Sequence, residues 1–198
     1  MKKIAMLFTA LCVTTGAFAQ FEKGRMLVGG SLEADFTTER SKFDGNSNRT
    51  GKYSEFSLDP QFGIFIIDNL AVGGAIGLST YTYKEDDSDY KYVSNELTIE
   101  PMARYYLPQG IFFQGMFILG SSSDKSTNNG NTNKDKYAVS GFALSAGYAY
   151  FLMDNVTVEP QLGYRSKGYK DKSNDVKDVD AGLFIRIGFQ IYFRNKGA

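Results

Sequence analysis

The chain has 198 residues, with 22 basic and 22 acidic side chains, one cysteine and no histidine. Balanced charge argues against a nucleic-acid-binding domain, which needs a basic patch. The lack of histidine removes the usual general base from any Ser-His or Asp-His arrangement, and a lone cysteine gives no disulfide framework.

Residues 1–19 read as a secretory signal peptide. Lys2 and Lys3 form a basic start, "IAMLFTALCV" is the apolar stretch, and Ala17-Phe18-Ala19 offers the small-x-small cleavage pattern. A lipid anchor on Cys12 would need a small residue before it, and Leu11 is not small. Residues 20–198 then form one domain carrying 20 basic and 22 acidic side chains, a net charge of −2. Beyond the signal no apolar run approaches the ~18 residues of a membrane-spanning helix, so entry into a membrane would have to use strands.

Alternation of apolar and polar residues predicts eight strands, near 25–38, 53–66, 70–83, 91–107, 111–123, 137–152, 156–168 and 179–193. In the second, Phe56, Leu58, Phe62, Ile64 and Ile66 share one face and Ser57, Asp59, Gln61 and Gly63 the other. The last strand has the longest apolar row, from Val179 through Leu183, Ile185 and Ile187 to Phe193. Connections alternate in length. Three are short, at 67–69, 108–110 and 153–155, and four are longer and polar, such as "ERSKFDGNSNRTGK" and "DKSTNNGNTNKDK".

The short connections interrupt apolar runs with turn-formers: "FIIDNLAVGG" at Phe65–Gly74 is echoed by "FLMDNVTVEP" at Phe151–Pro160. Ile66 and Leu70 share the apolar row, and residues flanking a hairpin loop share a face. That leaves a three-residue loop ending at Asp68 and Asn69, with Asn69 in the left-handed region. The same geometry is expected for Gln109 and Gly110 between Leu107 and Ile111, and for Asp154 and Asn155 between Leu152 and Val156.

Parity places Glu33, Asp35, Glu55, Asp59, Glu96, Glu100, Glu159 and Asp180 on the polar face, with Arg104, Arg165, Lys167 and Arg186. So many charges could not line an apolar ligand cavity, because unpaired buried charge is costly. They suit the polar interior of a membrane barrel whose apolar rows face lipid. The register sets Asp59 opposite Gly77, Gln61 opposite Ala75, Gln161 opposite Gly147 and Arg165 opposite Ala143, long side chains against small ones. Eight strands leave an interior that side chains fill. Tyr81, Tyr83, Tyr90, Tyr92 and Tyr137 near the long loops, and Tyr105, Phe113, Phe151, Tyr192 and Phe193 near the short turns, are expected to form two interfacial belts.

"FGIFIIDNLAVGGAIG" and the final strand resemble the small eight-stranded outer-membrane barrels of the OmpA/OmpX type, the family described as an outer membrane protein beta-barrel domain. In that final strand Arg186, Gly188, Ile191 and Phe193 match the assembly signal read by the barrel-insertion machinery. The resemblance implies an all-β, up-and-down antiparallel transmembrane β-barrel in the outer membrane of a diderm bacterium. It further implies Sec export, extracellular long loops and periplasmic termini. The partners are then outer-membrane lipid or lipopolysaccharide and the assembly machinery. No cofactor, metal or nucleic acid is expected. "ALSAG" around Ser145 lacks the first glycine and the following helix of a nucleophile elbow. Calcium-binding spacing in "DKSTNNGNTNKD" is broken by Asn129 where glycine is needed. The expected role is therefore non-enzymatic, in envelope integrity, adhesion or surface recognition, with a narrow channel or transporter for small solutes as the alternative.

Overall fold

The computed structural model describes residues 21–43, 46–86, 88–171 and 177–194, without the side chains of 33–43, 46–50 and 177. The expected signal peptide and its cleavage site thus lie outside the described residues, as do the side chains of Glu33 and Asp35.

The described residues form strands joined by turns: β1 (Met26–Phe43), β2 (Asn46–Ile67), β3 (Leu70–Glu85), β4 (Lys91–Tyr106), β5 (Ile111–Asn128), β6 (Asn131–Tyr148), β7 (Tyr150–Met153), β8 (Val156–Asp171) and β9 (Lys177–Phe193). β6 and β7 are two parts of one stave. Both pair with β8, and only Ala149 separates them. Each stave is antiparallel to its chain neighbours, and β1 returns to β9 from Met26↔Phe193 to Ser31↔Gly188. The result is a closed, up-and-down, eight-stranded antiparallel β-barrel. The closing seam is short, since the β1–β2 ladder runs on to Phe43↔Asn46.

Side chains sort by the two-residue period. The apolar rows point out: Ile99, Phe117 and Leu183 are 66%, 69% and 79% exposed. The opposite rows are buried, and they contain Asp59, Gln61, Glu100, Arg104, Gln114, Glu159 and Arg186. An exterior of this kind would aggregate in water.

At the first short turn the ladder runs to Phe65↔Ala71, then shifts so that Ile67 faces Leu70. Asn69 has φ 67°, the left-handed conformation that asparagine tolerates. In the second, Leu107 N–H donates to Ile111 O at 2.6 Å, and Gly110, at φ 86°, donates to Leu107 O at 3.0 Å. The third repeats the register shift of the first, with Met153 opposite Val156. It does not repeat the dihedral. Asn69 and Asn129 are the non-glycine residues of positive φ among those described, so Asn155 makes its turn without the left-handed step.

Two expectations need correction. "DKSTNNGNTNKDK" and "ERSKFDGNSNRTGK" are paired hairpins rather than loops: β5 and β6 stay paired to Asn128↔Asn131, and β1 and β2 to Phe43↔Asn46. Asn129 and Gly130, at φ 48° and 79°, make the two-residue turn that fits strand twist. Alternation is weak there because neither face needs to be apolar, so the Asn-Gly pair was the better signal. The aromatic belts are also thinner than expected. Tyr105, Phe113 and Phe193 point outward, but Tyr192 is 2% exposed inside the barrel. Phe151 packs on the interior cluster, and Tyr81, Tyr92 and Tyr137 line an interior vestibule. Their positions fall in the inward rows, which end-of-strand clustering alone does not reveal.

Candidate functional site: the layered barrel interior

The interior is organised in layers along the barrel. At the short-turn end the chain leading into β1 folds into the opening. Asn69 N–H donates to Phe21 O at 2.7 Å, Gly24 N–H to Phe65 O at 2.8 Å, and Lys23 N–H to Asp68 Oδ1 at 2.8 Å. Asp68 is therefore a latch for this segment as well as a turn residue. The segment sets Phe21, 1% exposed, against Tyr106, with ring centroids 4.1 Å apart and planes at 17°. Phe65, Phe151 and Tyr192 complete the ring cluster at 5.8–6.0 Å from Phe21. Offset and tilted rings of this kind both fill space and attract.

Directly above lies a dry polar knot centred on Arg104, whose side chain has no exposed surface. It donates to Glu159 Oε2 at 2.7 Å, Tyr106 Oη at 2.9 Å, Gln61 Oε1 at 3.0 Å and Gln114 Oε1 at 2.6 Å. Its guanidinium also sits 4.5 Å from the Phe112 ring centroid. Glu159 is equally buried and accepts from Tyr192 Oη at 2.8 Å and Thr157 Oγ1 at 3.1 Å. An ion pair out of water is tolerable only with this degree of hydrogen bonding. β2, β4, β5, β8 and β9 all contribute, so the knot ties the barrel across its diameter.

In the middle layer Arg186 Nη2 lies 3.3 Å from Asp59 Oδ2, which also accepts from Ser31 Oγ at 3.2 Å. Glu100 accepts from Thr98 Oγ1 at 2.8 Å. Gly77 leaves room here: an added Cβ would meet Thr98 Oγ1 at 2.2 Å and Asp59 Oδ1 at 3.4 Å. Gln61 faces Ala75, Gly147 faces Gln161 and Ala143 faces Arg165. Arg186 Nε and both amide atoms of Gln161 are buried without a protein hydrogen-bond partner, which makes this layer less fully satisfied than the knot. A cavity of about 30 Å³ lies beside Arg186, Asp59 and Glu100.

The long-hairpin end is open. A vestibule of about 550 Å³ is lined by tyrosines and by acidic and basic side chains, among them Glu55, Glu96, Arg165, Lys167 and Asp180. Lys167 Nζ reaches Glu96 Oε1 at 2.5 Å across the barrel, and Tyr169 Oη donates to Glu96 Oε2 at 3.0 Å. Asp124 accepts from Tyr92 Oη at 2.5 Å, Ser94 Oγ at 2.7 Å and Ser122 Oγ at 2.9 Å. Arg165 stands 5.8 Å from the Phe184 ring centroid. Asp180, read as a lumen charge, is exposed at the vestibule rim, where β9 has run past its rungs with β1.

The charges expected inside are thus not one network but three separated clusters. The aromatic cap and the knot also depend on residues that charge alone did not single out: Phe21, Tyr106, Gln114, Thr157, Gln190 and Tyr192. Tyr106, Gln190 and Tyr192 lie in the same inward rows as Arg104 and Arg186, so strand parity was the signal available for them. Of the four final-strand residues, Arg186 and Gly188 face inward while Ile191 and Phe193 are exposed on the outside.

No family model matches the chain, and no curated protein matches it. Similar solved structures include Neisserial surface protein A, 18% identical over 86% of this chain and 98% of that one, with a TM-score of 0.42. Outer membrane protein OprG from Pseudomonas aeruginosa is 16% identical over 88% of this chain and 98% of its own, at 0.44. Ail, the attachment invasion locus protein of Yersinia pestis, is 13% identical over 86% and 99%, at 0.49. By its own strand order, closure and reversed faces, the chain is an eight-stranded antiparallel β-barrel with an apolar outside and a polar inside, the fold that the resemblance in its sequence implied.

Proposed function

We propose that this chain is a non-enzymatic outer-membrane barrel that acts through its outward hairpins in envelope integrity, adhesion or surface recognition. One observation carries the membrane assignment: charge and amide groups fill the interior while the large apolar side chains stand exposed around the outside. Only a hydrocarbon surround makes that arrangement favourable, and the antiparallel ladders satisfy most backbone groups from strand to strand, with the β1–β9 seam paired from Met26↔Phe193 to Ser31↔Gly188. The orientation follows from the resemblance: long hairpins extracellular, termini periplasmic, export through Sec with loss of residues 1–19. Outer-membrane lipid or lipopolysaccharide is then the surround. The assembly machinery would read Arg186, Gly188, Ile191 and Phe193.

The narrow-channel alternative must contend with two stacked obstructions, the Phe21 ring cluster and the Arg104–Glu159 knot, neither of which leaves its central side chain exposed. Purified protein in a planar bilayer is expected to give no unitary openings, and reproducible openings would overturn the closed reading. Migration in gels before and after heating tests the barrel in the membrane fraction. A band that does not shift would sink the assignment.

A further inference from the structure

On the long-hairpin half, strand parity separates the two signs of charge. Asp124 turns into the vestibule and Lys125 outward, while Asp135 shares the inward row of Tyr137 between the outward Lys134 and Lys136. Lys170 is outward and exposed, and Asp171 shares the inward row of Tyr169 and Lys167. The outward lysines of these three strands are neighbours. Lys125 is the rung partner of Lys134, Lys136 is the next residue on the same face, and Lys170 is the rung partner of Ala138, one same-face step further. Like charges directly opposite one another on one face repel, so the cluster favours an anion.

Just below it, toward the apolar band, the outer surface has a groove of about 340 Å³. Phe117, Phe142 and Val179 form its rims, and Ser140, Ser166 and Gly168 its floor. Ser140 and Gly168 are rung partners, so two small residues meet where bulky ones occur lower down. Lys170 is one same-face step above Gly168, about 7 Å along the strand.

We propose that this patch binds a membrane lipid whose phosphate headgroup carries net negative charge. Its phosphate would sit among Lys125, Lys134, Lys136 and Lys170, and one acyl chain in the groove beneath. The inference rests on the membrane reading above and adds the ligand and its side of the barrel. A cation cluster over an apolar groove has the polarity of an anionic amphiphile, and a choline headgroup would bring its own cation to the lysines. The same sign of charge continues around the barrel, where Lys52, Lys84 and Lys91 are successive rung partners on exposed positions. The surrounding leaflet would therefore be anionic, with the groove selecting where one lipid is held.

The test refolds the chain into dioleoylphosphatidylcholine vesicles containing a minor fraction of spin-labelled phosphatidic acid or spin-labelled phosphatidylcholine. The motionally restricted signal gives the preference for the anionic phosphate headgroup over the zwitterionic one. The wild-type chain is expected to prefer phosphatidic acid. A Lys125→Gln/Lys134→Gln/Lys136→Gln variant should lose that preference, by up to about fivefold for each lysine. Lys23→Gln, at the opposite end, should keep it. Ser140→Phe, which fills the groove and leaves the lysines, should weaken lipid retention severalfold. Added glycerol 3-phosphate should compete poorly, and full competition by it would overturn the lipid in favour of a soluble phosphate. Equal preference in wild type and the lysine variant overturns the site while leaving the membrane reading intact. Failure of the wild type to insert overturns both.

Discussion

At the short-turn end of the barrel, Arg104 and Glu159 have no exposed side-chain surface and meet at 2.7 Å under a cap of aromatic rings. At the long-hairpin end, Lys167 and Glu96 keep 13% and 9% exposure beside a vestibule of about 550 Å³. The same kind of ion pair thus sits in two solvents. In the dry layer each partner depends on the other and on the hydroxyl and amide groups around them, because the Coulombic attraction must offset a large desolvation cost. In the vestibule, water shares that task and the pair contributes less.

The contrast is sharpest if one charge is removed from the dry layer. Arg104→Leu leaves Glu159 buried and uncompensated, and we expect a loss of about 3–5 kcal/mol in urea unfolding from lipid vesicles. Arg104→Met combined with Glu159→Gln should recover much of it. A loss near zero for the single variant would mean that water reaches this layer. Next in size is Phe21→Ala, which removes the ring stacked on Tyr106 from the cap. About 2–3 kcal/mol is expected, somewhat below a central core truncation because the site is near the chain start. If that variant begins to conduct in a planar bilayer, the cap rather than the knot is the seal.

Smaller effects belong to the periphery. Asp68→Ala should cost about 1 kcal/mol by freeing Lys23 N–H, visible as faster amide exchange in residues 21–25 than in β2. Asn69→Val, which forces a β-branched residue into positive φ, should cost more than the corresponding Asn155→Val, because only the former position is left-handed. Equal costs would remove the distinction drawn between the two turns. Smallest is Glu96→Gln, for which up to about 1 kcal/mol is expected, falling further with added salt. A loss as large as that of Arg104→Leu would show that the vestibule is as dry as the layer below it.

Much of this was legible in the chain before any coordinates. Strand number, the short turns and the side on which Asp59, Glu100, Arg104 and Glu159 lie all follow from a period of two, since one residue step reverses the face. Gln61↔Ala75 and Ala143↔Arg165 follow from the same parity carried across a hairpin. Other features were present but unweighted. Asn129-Gly130 is a strong turn signal inside a stretch too polar to alternate visibly, and Tyr192 occupies the same inward row as Arg186. The positive φ of Asn69 and its absence at Asn155 could not be separated, because the two local sequences are nearly alike.

Local sequence determined the strands, their faces and the inversion of polar and apolar surfaces, because these depend on alternation and on spacing along a single chain. Tertiary structure alone decided which charges meet. Arg104 finds Glu159 at a separation of 55 residues, and Tyr106 finds Tyr192 at 86. Such partners lie across the barrel diameter, where distance depends on closure and on the height of each residue along its stave. It also decided that Phe21, a residue outside every strand, seals one end, since filling that opening requires the opening to exist.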